Sequence, residues 1–185
     1  MKAKLIALLA VLLFSTGANA QNSSANEQPA RKILIAYFSW GGNTQHVAEH
    51  IAVLTGGTLF RIEPEKPYPT EYTPCTEVAK AEKEADARPA IKKKVEDWEQ
   101  YDTIFIGCPV WWWTAPMIIN TFTEGYDFKG KTVIPFCTYA STYRDETLAR
   151  IVELTPAAGH LKGFGAVSKN TKGIEEWLKE IKMLK

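Results

Sequence analysis

One short stretch constrains the fold of this chain more than any other. The apolar run Lys32-Ile33-Leu34-Ile35-Ala36-Tyr37-Phe38 leads directly into Ser39-Trp40-Gly41-Gly42-Asn43-Thr44, and a helix-patterned segment begins at Gln45. An unbroken apolar run of this length reads as a strand buried on both faces, which belongs in a parallel sheet. A small, hydroxyl-bearing loop between such a strand and a helix is a cradle for phosphate, because the first N–H groups of the helix point into it. No Lys or Arg lies between Phe38 and Gln45. That suits a phosphate monoester held by backbone N–H groups and hydroxyls rather than a nucleoside triphosphate with its metal.

The rest of the chain repeats the alternation. Strand patterns fall at Lys32–Phe38, Thr58–Ile62, Thr103–Gly107, Thr132–Cys137 and Gly163–Val167. Helix patterns fall at Thr44–Leu54, Thr76–Ala85, Arg88–Trp98, Ala115–Thr123, Arg144–Leu154 and Ile174–Met183. Strands alternating with helices imply an α/β domain with a doubly wound parallel sheet. Pro135 is out of place in a central strand. The segment from Pro64 to Pro89 is longer than an ordinary connection and is expected to be a surface excursion over a sheet edge, with a lid over a site as the alternative.

The first twenty of the 185 residues read differently. Lys2 and Lys4 precede the apolar run Leu5 to Phe14, and Ala18-Asn19-Ala20 is a small-x-small cleavage signal, so residues 1–20 are expected to be a signal peptide. The apolar run is half of the roughly 20 residues needed to span a bilayer. Residues 21–31 read as a polar linker and 32–185 as the domain. The mature chain is thus expected outside the cytoplasm, in the bacterial periplasm, with no stable membrane insertion. Without Lys2 and Lys4, 20 basic residues remain against 21 acidic, a balance that argues against a nucleic-acid partner. Cys75, Cys108 and Cys137 form no CxxC motif, and neither they nor His46, His50 and His160 have metal-ligand spacing. Cys108 and Cys137 are expected as buried thiols, or as a disulfide if their strands are adjacent.

In an open parallel sheet, ligands bind beyond the carboxyl ends of the strands. Two further loops leave such ends: Pro109-Val110-Trp111-Trp112-Trp113-Thr114 and Thr138-Tyr139-Ala140-Ser141-Thr142-Tyr143. Neighbouring side chains on an extended segment point to opposite sides, so three consecutive Trp cannot all be core. With Tyr139 and Tyr143 they offer two walls of a slot for a planar ring. A phosphate cradle and an aromatic slot at one end of a sheet suit a phosphorylated flat heterocycle.

On these residues the chain resembles the flavodoxins in their shorter form. The resemblance rests on Ser39-x-Gly41-Gly42-Asn43-Thr44, on Pro109-Val110-Trp111-Trp112, and on Thr138 to Ser141, and it runs from Lys32 to about Lys182. It implies a flavodoxin-like, five-stranded doubly wound parallel sheet with helices on both faces, and non-covalently bound FMN. The FMN-binding set would be Ser39, Trp40, Gly41, Gly42, Asn43 and Thr44 for the phosphate, with Pro109, Val110, Trp111, Trp112, Thr138, Tyr139, Ala140, Ser141 and Tyr143 around the ring. Trp111 matches the Trp that lies against the isoalloxazine; Tyr139 and Tyr143 both stand near the place of the covering Tyr. The sequence departs from the pattern at Gly41, where a hydroxyl is common, and at Trp112. There many members carry a Gly whose peptide reorients on flavin reduction. A residue with a Cβ resists positive φ by roughly 1–2 kcal/mol, so this reorientation is expected to be harder.

The expected function is electron transfer outside the cytoplasm, to a redox partner protein or a small acceptor. The alternatives are an FMN enzyme passing electrons from a nicotinamide donor to a quinone, and a flavin-free interaction module. Phosphoryl chemistry fits poorly. Six residues separate Cys137 from Arg144 where a Cys-based phosphatase needs five, and Cys108 stands where a receiver domain needs Asp.

Overall fold

The computed structural model describes residues 32–184; the expected signal peptide and linker lie outside the described residues. The chain runs β1 (Ile33–Tyr37), α1 (Asn43–Thr55), β2 (Thr58–Arg61), α2 (Tyr72–Glu84), β3 (Thr103–Pro109), α3 (Met117–Glu124), β4 (Thr132–Tyr139), α4 (Arg144–Glu153), β5 (Gly159–His160), β6 (Phe164–Val167) and α5 (Ile174–Glu180). All strand pairs are parallel, in the order β2-β1-β3-β4, with β5 and β6 both pairing β4. This is the doubly wound five-position sheet expected from the sequence. Among the described residues no helix is long and apolar enough to cross a membrane.

Strand alternation sends successive side chains to opposite faces. Leu34, Ala36, Ile104, Ile106 and Val133 face one side, where Ile118, Ile119 and Phe122 of α3 and Ile151 of α4 cover them. Ile35, Tyr37, Phe105, Ile134 and Phe136 face the other, under Val47, Ala48 and Ile51 of α1 and Ile174, Trp177 and Leu178 of α5. The central strands β1, β3 and β4 are therefore buried on both faces, which is why they read as continuous apolar runs. Gly107 pairs with Phe136 in register, and the Phe136 ring lies where a Cβ on Gly107 would stand, 2.0 Å from it.

Pro135 keeps its place in β4 because the fifth strand position is broken beside it. The Val133 carbonyl accepts the Leu161 N–H at 3.2 Å and the Tyr139 carbonyl accepts the Ser168 N–H at 2.9 Å, so the same alternation turns Pro135 toward that edge. There its missing N–H would leave a gap in the ladder. The fifth strand divides there, into β5 opposite Thr132 and Val133 and β6 opposite Phe136 to Tyr139. The expected single strand Gly163–Val167 is thus shortened at its start and preceded by a separate piece.

One expected helix is absent. Arg88–Trp98 is irregular chain in which Ile91 forms an isolated antiparallel bridge with Pro64, and it leads into a single 3-10 turn at Trp98–Gln100. Pro89 disfavours helix at Arg88, and Asp97 lies in the left-handed region at φ 48°. The helix before it begins earlier than its sequence pattern, at Tyr72, with Pro74 accommodated in the first turn.

Candidate functional site

The three loops at the carboxyl ends of β1, β3 and β4 meet. Phe38 donates its N–H to the Gly107 carbonyl at 2.9 Å, and Val110 donates to Thr138 at 2.9 Å. The first loop turns sharply at Gly42, whose φ of 88° suits a residue without Cβ. The Gly42 N–H donates to Ser39 Oγ at 3.1 Å. Helix α1 starts at the next residue with no acidic side chain in its first turn, so its positive end is unopposed. Thr44 Oγ1 lies 2.8 Å from Thr138 Oγ1, and both residues are buried. This pair joins the first loop to the third beneath the site.

The second loop is a two-residue hairpin. Trp111 and Thr114 exchange both backbone hydrogen bonds, at 2.9 and 3.1 Å, with Trp112 at φ 45° and Trp113 at φ 73° between them. Two successive positive φ values are the mark of a type I′ turn, which usually takes Asn-Gly. Each non-Gly residue held there costs on the order of 1–3 kcal/mol. The chain thus holds Trp112 at positive φ against the resistance expected of a residue with a Cβ. What opposes the strain comes from α2. Lys83 Nζ donates to the Trp112 carbonyl at 2.7 Å, and Trp112 Nε1 donates to the Thr76 carbonyl at 2.8 Å. The Lys83 ammonium also lies 4.9 Å from the centre of the Trp113 ring.

The three indoles take different surroundings. Trp111 packs edge-on against Phe38 and Tyr68, at 5.2 and 5.0 Å between ring centres. Trp113 is 56% exposed and faces Tyr143, itself 39% exposed, across 6.0 Å. Tyr143 caps α4 at φ 64°. Tyr139 instead lies down at the end of β4, where its ring would touch a Cβ at Gly165. The ring that confronts an exposed Trp is thus Tyr143, and the exposed member of the three is Trp113, which is not among the residues that the resemblance implies.

Together the loops and α2 enclose a pocket of about 550 Å³. Every predicted site residue except Gly42 lines it: Ser39, Trp40, Gly41, Asn43, Thr44, Pro109, Val110, Trp111, Trp112, Thr138, Tyr139, Ala140, Ser141 and Tyr143. Tyr72, Cys75, Thr76 and Ala79 of α2 also line it, as do Trp113, Thr142 and Ser168. The excursion Pro64–Pro89, expected as a surface cover with a lid over a site as the alternative, supplies a wall of the site. It is fastened at the first loop as well, where Trp40 Nε1 donates to the Pro69 carbonyl at 2.8 Å. Its unusual length was the signal available in the sequence.

None of the described residues lining the pocket carries a formal charge. A cation does stand behind the first loop, contrary to the reading from sequence. Arg61, at the end of β2, donates to the Ser39 carbonyl and to Gln45 Oε1, both at 3.2 Å. On the outer side of the aromatic wall, the Tyr68 hydroxyl donates to Glu82 at 2.7 Å. Burial lifts the Glu82 carboxyl above its ordinary range, against the opposing pull of that hydrogen bond, and burial likewise lifts the Tyr68 hydroxyl. Cys75 is raised by burial and by Glu82. Cys108 and Cys137 are buried free thiols, paired in register on β3 and β4, and burial lifts Cys137 to about 12. They are protonated and weakly reactive as they stand.

The site's chemistry fits a flavin mononucleotide. The cradle offers hydroxyls, a helix N-terminus and open space above Gly41 and Gly42, where a Cβ would meet nothing within 4 Å. The other end offers aromatic faces. A doubly wound sheet with such a pocket at its carboxyl edge defines a nucleotide-binding α/β protein of the flavodoxin type. A family model for flavodoxin matches residues 32–181. The chain belongs to the flavodoxin family.

Solved structures agree. A protein classed as a flavoprotein from Bacteroides eggerthii is 37% identical, with a TM-score of 0.74 over 82% of this chain and 98% of its own. One from Bacteroides uniformis is 35% identical, with a TM-score of 0.72 over 81% and 99%. A flavoprotein from Lactobacillus acidophilus in complex with FMN shares the fold, at 23% identity and a TM-score of 0.68 over 80% and 99%. No curated protein matches the sequence.

Proposed function

We propose that this protein binds FMN non-covalently and works as an electron-transfer protein outside the cytoplasm. The observation that carries the reading is the pocket itself, with its uncharged hydroxyl-and-amide cradle at one end and aromatic wall at the other. The FMN complex of the Lactobacillus acidophilus flavoprotein, which has the same fold, supports it.

Ser39, Thr44 and the first-turn N–H groups of Asn43 and Thr44 would hold the phosphate. Thr138 can donate to Thr44 Oγ1, freeing the Thr44 hydroxyl proton for a phosphate oxygen; hydrogen bonds in such a chain strengthen one another. Arg61 lends positive potential from behind without touching the ligand. Trp113 and Tyr143 would part to admit the ring, with Trp111 and Tyr139 beneath. When bound, the flavin supplies one- and two-electron chemistry; the chain's part is to bind it, orient it and exclude water. The titratable groups lining the pocket are Tyr side chains and a Cys75 thiol raised by burial, a poor set for proton-coupled turnover of a second substrate. This favours the carrier over a nicotinamide-to-quinone enzyme.

The test is an absorption and turnover experiment on protein recovered from the export compartment. Flavin bands in the processed chain, with reduction by a one-electron donor and negligible NADPH oxidation in the presence of a quinone, are the expected result. Rapid NADPH-to-quinone turnover would instead make it an enzyme. Flavin confined to unprocessed precursor would contradict a role for the FMN-loaded protein outside the cytoplasm.

A further inference from the structure

The geometry points to Lys83 as the positioning residue of the aromatic wall, the group that, beside the Trp112 Nε1 bond to the Thr76 carbonyl, holds the Trp112–Trp113 turn in its left-handed form. The turn cannot account for itself. Two adjacent Trp occupy positive φ where Asn-Gly would be expected, and both Cβ atoms oppose it. Its local hydrogen bonds, between Trp111 and Thr114, close any two-residue hairpin and do not select this hand.

Lys83 selects it through two contacts on one ammonium. The Nζ donates to the Trp112 carbonyl at 2.7 Å, which fixes the plane of the Trp112–Trp113 peptide. The same Nζ lies 4.9 Å from the Trp113 ring centre, which fixes the indole that faces Tyr143. The bond is partly buried, where a charge-assisted hydrogen bond is strong. Lys80, one turn earlier on α2, lies 5.9 Å from the Trp112 ring but is paired with Glu84 and bonds no carbonyl of the turn. The position therefore calls for a donor that reaches the carbonyl, and a positive charge near the rings is insufficient. Since Lys83 stands in the last turn of α2, the helix of the excursion sets the shape of the site as well as covering it.

The test has one arm without flavin and one with it. Trp112 and Trp113 lie 6.0 Å apart with their planes at 80°, so the ligand-free protein should give an indole exciton couplet in its circular dichroism. Lys83→Met is expected to abolish the couplet while leaving the helical signal; Lys83→Arg, which can still donate, keeps it; Lys80→Met keeps it. A couplet intact in Lys83→Met, or lost equally in Lys80→Met, overturns the proposal. Should Lys83→Met fail to fold, Lys83→Gln, too short to reach the carbonyl, is read the same way. The second arm rests on the FMN reading. Lys83→Met should weaken FMN binding by about tenfold and Lys83→Arg should restore it to within about twofold. Wild-type protein that binds no FMN removes the proposed function and leaves the first arm to decide Lys83. A Lys83→Met affinity equal to wild type shows that Lys83 does not position the wall for the ligand, and overturns the proposal.

Discussion

The buried Thr44–Thr138 hydroxyl pair gives the sharpest handle on the phosphate end. Thr44→Val keeps the bulk of the side chain and removes its hydroxyl. In the ligand-free protein this strands Thr138 Oγ1, 2.8 Å from its former partner, in a site only 4% exposed. An unpaired buried hydroxyl costs about 1–3 kcal/mol, so urea unfolding should register a loss of that size. Thr138→Val strands Thr44 and should cost as much, whereas the double variant, with both polar groups gone, should recover most of it. Binding should separate the two. Thr44 would give its proton to a phosphate oxygen, a charge-assisted bond of about 1.5–3 kcal/mol, so Thr44→Val should raise the FMN dissociation constant by about 10- to 150-fold. Thr138 acts only by polarising Thr44, and its loss should cost about fivefold or less. Quenching of flavin fluorescence on titration reads both. Equal affinity losses for the two variants, or a Thr44→Val constant within about twofold of wild type, would refute the assignment of Thr44 to the phosphate.

Three further outcomes follow from the geometry. Gly41→Ser adds a hydroxyl where a Cβ meets nothing within 4 Å and where φ is not positive, so FMN binding should tighten by up to about tenfold in the same titration, and weaker binding would mean the loop does not face the phosphate. Gly107→Ala drives a methyl to 2.0 Å from the Phe136 ring in the centre of the sheet, and should lower stability by about 1–3 kcal/mol or more in thermal unfolding. Glu82 titrates above its ordinary range when folded, so the folded chain holds a proton that the unfolded chain has already released. Its stabilising contribution is therefore full at acid pH and falls as pH rises through the ordinary carboxylate range to the raised value. Glu82→Gln should flatten that part of the stability profile, which urea midpoints measured across pH would show.

What could be read from the sequence follows from the range over which each feature is determined. Strands buried on both faces announce themselves as apolar runs, and the three ligand loops follow from where those runs end. Features set by distant partners did not show. The α2 wall depends on Trp112 meeting Thr76 and Lys83, more than 25 positions away in the chain. The left-handed Trp112–Trp113 turn contradicts local preference and stands only because α2 holds it. Arg61 reaches the first loop from another strand, so the loop's own residues do not reveal it. The helix pattern at Arg88–Trp98 was local too, and Pro89 with the Pro64–Ile91 bridge overrode it.

On the proposed function, this pocket takes FMN by its phosphate as well as its ring. The most direct measurement is a paired titration of the mature protein with FMN and with riboflavin, which differ only in that phosphate. The expected result is one-to-one, strongly quenched binding of FMN, at least about a hundredfold tighter than riboflavin, as two or more charge-assisted hydrogen bonds require. Equal affinity for the two flavins, or binding of neither, would contradict it.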